Sequence, residues 1–237
     1  MLEKYIEVER VKKEVEFVNL AITTKIIDSK CKDDLINAFT NNEFNLDNLA
    51  SNIQIHSDIV NIIDKDSIKV KKEGDALITN LKEVPLLVFT ADCVPIAIID
   101  KKNKIIGAVH AGWRGTYSQI AKNTIELMKK EYSTNPDDLI CVIGPSIGSC
   151  CYEVSQELVE KFNTILTNSE EKFYIIEEEK YYLDLWKINE YILRSCGVKK
   201  ENIINLNICT SCNSDKFHSY RIHKKTDKRI GLIIQMK

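Results

Sequence analysis

The stretch from Val84 to Thr116, VPLLVFTADCVPIAIIDKKNKIIGAVHAGWRGT, does most to restrict what this chain can fold into. Two apolar runs flank the polar segment Lys101 to Lys104, a pattern that reads as a buried β-hairpin. A four-residue loop sets Asp100 opposite Ile105, and stepping back along the ladder sets Pro95 opposite His110. Cys93 lies two residues beyond Pro95. Diagonal neighbours in an antiparallel pair are roughly 7–8 Å apart, so side chains at such positions can converge on one atom. The register therefore predicts that Cys93 and His110 are close.

A thiol and an imidazole at the end of a buried hairpin admit three readings. They are part of a metal site, a nucleophilic Cys–His pair, or a packed cysteine beside a hydrogen-bonded histidine. Three neighbouring features favour chemistry. Asp92 interrupts an otherwise apolar run and must be hydrogen-bonded or functional, because burying it unpaired costs several kcal/mol. The glycines of AGWRG, after His110, let the backbone approach a ligand, and Arg114 can grip a phosphate or carboxylate in bidentate fashion or form a surface ion pair. The segment Gly144 to Val154, GPSIGSCCYEV, joins a strand end to a helix. Such loops present backbone N–H groups to anions, which makes Gly144, Ser146 and Gly148 candidate anion contacts.

The chain has only four histidines. His56 ends the apolar segment Ile53 to Ile55 and is the best candidate for a third ligand, whereas His218 and His223 sit in a polar C-terminal stretch and read as exposed. Cys209 and Cys212 form a CxxC with no second half, a weak signal for a zinc knuckle, and the vicinal Cys150 and Cys151 are poorly placed to bond to each other. The roles of these four stay open.

Strands are expected at Ile53 to His56, Ile59 to Ile63, Leu86 to Thr90, Pro95 to Ile99, Ile105 to His110, Leu139 to Ile143, Ile203 to Ile208 and Ile230 to Ile234. Helical spacing follows Thr116, a candidate cap, and recurs from Ser155 and from Asp184, the last helix stopping before Gly197. The mixed order predicts an α/β or α+β layered fold. No linker or repeat divides residues 1–237, so one domain is expected.

With 44% hydrophobic and 29% charged residues the chain is globular in composition. Its 33 basic residues are spread among 35 acidic ones, which excludes nucleic acid as the expected partner. The one basic cluster, His223 to Arg229, is interrupted by Asp227 and reads as a solvated turn. The opening MLEKYIEVERVKKEVEFV has no apolar core of a signal peptide, and Asp92, Pro85 and Pro95 break the longest apolar stretch. The expectation is a cytoplasmic chain, not in a membrane, with its eight cysteines reduced.

Taken together, QIHSDIV, GDALIT, TADCVPI, HAGWRGT, IGPSIGSCCYEV and CTSC…FHSYR resemble the laccase-domain, or multicopper polyphenol oxidase-like, family. This is the YfiH/YlmD/FAMIN group of purine nucleoside enzymes. The likeness runs from about Asn19 to the C-terminus. It implies an α/β/β/α sandwich related to bacterial Cys–His deamidase toxins, with one zinc held by His56, Cys93 and His110. It also implies phosphorolysis of adenosine, inosine, guanosine and methylthioadenosine with inorganic phosphate, and deamination of adenosine. On this reading a metal-activated water attacks the purine C6 while Asp92 shuttles the proton, and Arg114 with Gly144 to Gly148 holds phosphate. Copper is the less favoured metal, since copper(II) sites draw on more imidazoles.

The chain departs from the family near its start. Asn19-Leu20-Ala21 runs into Ile22-Thr23-Thr24-Lys25, where the family carries a His and a Gly-Asp, which bears on the substrate contact assigned to Asn19. The rival readings are a metal-free Cys–His hydrolase or deamidase using Cys93, and a non-catalytic nucleoside-binding protein.

Overall fold

A computed structural model describes residues 3–39, 43–166, 171–224 and 226–237. The hairpin forms in the register read from the sequence, with Asp100 opposite Ile105 and Pro95 opposite His110. In chain order the first strands are β1 (Tyr5–Glu7), β2 (Val18–Thr23), β3 (Val60–Ile62), β4 (Ala76–Thr79) and β5 (Leu86–Thr90). The hairpin strands β6 (Val94–Asp100) and β7 (Ile105–Ala111) follow, then β8 (Leu139–Ile143) and β9 (Glu153–Val154). The last four are β10 (Tyr174–Glu177), β11 (Lys180–Leu183), β12 (Ile203–Asn205) and β13 (Ile230–Met236). The helices are α1 (Glu9–Glu14), α2 (Lys32–Ala38), α3 (Trp113–Tyr117), α4 (Ile120–Tyr132), α5 (Gln156–Asn163) and α6 (Leu185–Ser195).

The hairpin lies at the centre of a six-stranded sheet ordered β12-β8-β6-β7-β4-β3, and a second sheet is ordered β1-β2-β13-β5. Strand alternation sorts the apolar side chains into layers. Ala97, Ile99, Ile106, Ala108 and Val142 pack inward against Leu20, Ile22, Leu86, Val88, Leu232 and Ile234 of the second sheet. The intervening residues Ile96, Ile98, Val109 and Cys141 face the other way, onto Ile125 and Met128 of α4, Phe162 of α5 and Ile188 of α6. Beyond the second sheet, Ala21, Leu87 and Ile233 meet Leu35 and Ala38 of α2 and Phe39 just past it. The layers run α/β/β/α, the expected class. A hairpin buried on both faces this way requires the unbroken apolar runs that marked it out.

Caps at Ser155 and Asp184 form as expected, their side chains accepting from the amides of Leu158 and Lys187, and Gly197 adopts φ +96° just past α6. Thr116 is not a cap. It lies inside the short helix α3, its hydroxyl accepting from the Asn189 amide, and α4 begins after Gln119, whose φ of +58° makes the corner.

Two strand expectations are corrected. Ile53 to His56 is not a strand, because only Ile53 makes a bridge, to Glu73, and the amides of Ile55 and His56 go to a carboxylate instead. The strand from Ile203 ends at Asn205, where the Asn205 side chain accepts from the Asn207 amide and turns the chain. Among the described residues no helix is long and apolar enough to cross a membrane.

Candidate active site and metal centre

The end of the hairpin delivers Cys93 and His110 to one place, and the coil after Ile55 delivers His56. One ligand atom from each residue lies within 4.8 Å of those of the other two. Cys93 Sγ is 3.9 Å from His56 Nε2, and the two imidazole rings are 4.9 Å apart at 77°.

The residue that organises this group is Asp75, which the sequence reading did not single out. It follows Gly74, whose φ of +152° suits glycine, and it opens onto β4 with its side chain fully buried. His110 Nδ1 donates to Asp75 Oδ1 at 2.8 Å. A carboxylate can only accept, so the proton sits on Nδ1 and leaves Nε2 free to act as a ligand. The same carboxylate accepts from the amides of Ile55 (3.2 Å), His56 (3.0 Å) and Ser57 (2.6 Å), and from the Ser57 hydroxyl (2.7 Å). These bonds shape the turn that presents His56, itself at φ +60°. Asp75 thus positions two of the three candidate ligands at once.

Electrostatics within the group are mutually supporting. Burial on its own raises the Cys93 thiol, but the His110 and His56 imidazoles outweigh it and bring the group down to about 6. Burial depresses His110, yet the Cys93 sulfur and Asp75 carry it up to about 9. Burial likewise opposes ionisation of Asp75, and the His110 and Ser57 donors overcome it, lowering the carboxyl to about 2.

The donors suit zinc. Tetrahedral geometry with Zn–S of about 2.3 Å and Zn–N of about 2.0 Å spaces sulfur and nitrogen by roughly 3.5 Å, close to the 3.9 Å between Cys93 and His56. Gly112 leaves room for the group, since a Cβ there would stand 3.0 Å from Cys93 Sγ and 3.0 Å from His56 Cδ2.

The three residues lie in a cleft of about 720 Å³ that also includes Trp113, Arg114, Tyr152, Tyr220 and Arg229. The Arg114 guanidinium lies over the Trp113 ring, 4.4 Å from its centroid, and takes part in none of the ion pairs among the described residues, so its charge is available to a ligand.

Comparison with known proteins fits this arrangement. Residues 12–237 match the family described as multi-copper polyphenol oxidoreductase laccase. The chain belongs to this laccase-domain family. A purine nucleoside phosphorylase of Clostridium acetobutylicum is 41% identical over 79% of this chain and 76% of its own length. An adenosine deaminase named RL5, from an unknown prokaryotic organism, is 36% identical over 74% of this chain and 70% of its own. Among solved structures, YfiH from Bacillus licheniformis superposes with a TM-score of 0.89 at 25% identity, covering 99% of this chain and 97% of that one.

Set on this laccase-domain frame, several sequence expectations change. Asp92, expected as a proton shuttle, has both oxygens occupied. Oδ1 accepts from the Thr210 hydroxyl at 2.6 Å, and Oδ2 accepts from the Ser219 hydroxyl at 3.1 Å and the Arg221 amide at 2.7 Å. It clamps the segment from Thr210 to Arg221 against the hairpin.

The amides of Gly144, Ser146 and Gly148, expected to face an anion, are engaged within the protein. These donate to Pro95 O, Ile208 O and Cys209 Sγ, and the Ile147 amide goes to Asp92 O. Close packing explains the glycines: a Cβ on Gly144 would meet Pro95 at 2.9 Å, and one on Gly148 would meet Trp186 at 2.8 Å. Ser146 is fully buried and accepts from the Trp186 indole.

Asn19, expected to contact substrate, lies on β2 outside the cleft, its amide donating to Glu43 O. His218, expected on the surface, is only 8% exposed, and burial drives its imidazole down to about 4. His223 is exposed as expected.

Proposed function

We propose that this chain is a zinc-dependent purine nucleoside enzyme. It cleaves adenosine, inosine, guanosine and methylthioadenosine with inorganic phosphate to the free base and ribose 1-phosphate, and it deaminates adenosine. The reading takes residues 1–237 as one catalytic domain working in the cytoplasm. The observation that carries it is the His56–Cys93–His110 group, backed by Asp75, in a cleft that pairs an uncommitted arginine with aromatic side chains. The names of the relatives supply the substrate class.

Phosphorolysis requires a phosphate oxygen to reach the ribose C1′ as the bond to the purine nitrogen breaks. Arg114, over the Trp113 ring, would fix the phosphate by a bidentate contact. Trp113 and Tyr220 offer aromatic surfaces to a purine ring. His56, Cys93 and His110 would hold the zinc. Zinc there would supply Lewis-acid chemistry. Asp75 keeps His110 in the tautomer that ligation needs.

Chromatography of each nucleoside after incubation with the zinc-loaded protein tests this directly. Free base and ribose 1-phosphate should form only when phosphate is present, inosine should form from adenosine without it, and Cys93→Ala should lose both products together with the metal. A zinc-loaded protein that makes neither product would instead favour the non-catalytic binding reading. Arg114→Ala should raise KM for phosphate about 10- to 100-fold, and an unchanged KM would remove the phosphate assignment.

A metal-free thiol enzyme is the second reading, favoured by the lowered Cys93 thiol. It requires a purified protein that is active without zinc and is inactivated by iodoacetamide at Cys93.

A further inference from the structure

The CxxC of Cys209 and Cys212 has a second half after all, in the vicinal cysteines. Cys150 and Cys151 sit in the connection from β8 to β9, and Cys209 and Cys212 follow β12. All four sulfurs lie within 4.8 Å of one another, and none of the four is in a disulfide. Cys212 Sγ stands 3.5 Å from Cys150 Sγ and 3.4 Å from Cys151 Sγ. Four thiolates about 2.3 Å from a central zinc are spaced by roughly 3.8 Å.

A second observation points the same way. Two amides aim at Cys209 Sγ, those of Gly148 at 3.3 Å and Cys212 at 3.5 Å. N–H donors directed at sulfur favour its anionic, metal-ligating form. The Arg221 guanidinium donates to Cys151 O and Glu153 O, which brings a positive charge beside a cluster that would carry net negative charge once metallated.

We propose that Cys150, Cys151, Cys209 and Cys212 form a second metal site, a closed tetrathiolate that takes one zinc ion and serves structure. All four positions are filled by protein, so no water or substrate has a place on the metal. Its effect is mechanical. It ties the connection after β8 to the C-terminal segment that Asp92 also clamps, and this double attachment braces the cleft wall carrying Tyr152 and Tyr220. Loading converts thiols to thiolates and releases protons, so occupancy falls in acid.

The test uses the full-length Cys93→Ala protein, in which the first centre is disabled. Elemental analysis should find one zinc per chain, and cobalt(II) in its place should give the intense thiolate-to-metal band and visible bands of a tetrahedral sulfur site. Cys150→Ser/Cys212→Ser in the same background should lose the zinc and those bands. If that variant fails to fold, thiol labelling of the Cys93→Ala protein decides the matter. Cys150 and Cys212 are exposed, yet iodoacetamide should spare them until a chelator strips the zinc. A metal-free Cys93→Ala protein whose Cys150 and Cys212 alkylate at once, or whose peptide map shows them joined as a disulfide, overturns the proposal. Zinc in the tetrad of a wild-type protein that turns over no nucleoside would count against the enzyme reading alone.

Discussion

Asp75→Asn is expected to weaken zinc binding about 10- to 100-fold and to lower nucleoside turnover with it. The substitution keeps the shape of the side chain but removes the charge that His110 Nδ1 donates to, so the imidazole loses its preferred tautomer. Asp75→Ala should do more. It strands the part-buried amides of Ile55, His56 and Ser57, and a donor left without a partner costs up to about 1–3 kcal/mol where water cannot reach it. Competition against a chromophoric chelator reads the affinity, and thermal unfolding of the metal-free protein reads the backbone contribution. An Asp75→Asn protein that holds zinc as tightly as wild type would show that His110 is oriented by something else.

Asp92→Ala is expected to cost about 3 kcal/mol of stability and to free the segment from Thr210 to Arg221 for proteolysis, with zinc still bound at His56, Cys93 and His110. Three donors lose their acceptor, and only the Arg221 amide has ready access to water. A proton-shuttling Asp92 behaves differently: Asp92→Asn would then keep stability and zinc but lose deamination. Denaturant midpoints and limited proteolysis of both variants separate the two roles. An unchanged midpoint in Asp92→Ala would end the clamp interpretation.

These two aspartates also show where sequence reasoning works and where it stops. Asp92 stands out because it breaks an apolar run, and of the two readings, hydrogen-bonded or functional, the structure shows the hydrogen bonds. Its partners, Thr210, Ser219 and Arg221, lie more than a hundred residues away, and nothing local names them. Asp75 precedes a short buried strand in an ordinary-looking setting, and its importance comes entirely from contacts made across the fold. The GDALIT motif was the one signal that could have found it.

Cys93 and His110 were legible because a hairpin converts spacing into distance, and the observed register bears that out. The glycines of the loop after β8 are harder to read for a related reason. Glycine marks close backbone approach, but the approaching groups are Pro95, Ile22 and Trp186 rather than an anion. The vicinal cysteines were unreadable as a site, because their partners come from the far side of α5 and α6 in the chain.

The place of β13 between β2 and β5 sets the timetable for assembly during synthesis. Those two strands emerge from the ribosome with no strand between them, and the face they will turn to the core stays open until residues 230–236 appear. The second sheet cannot shut until then, so a nascent chain carries sticky, unpaired edges through most of its translation.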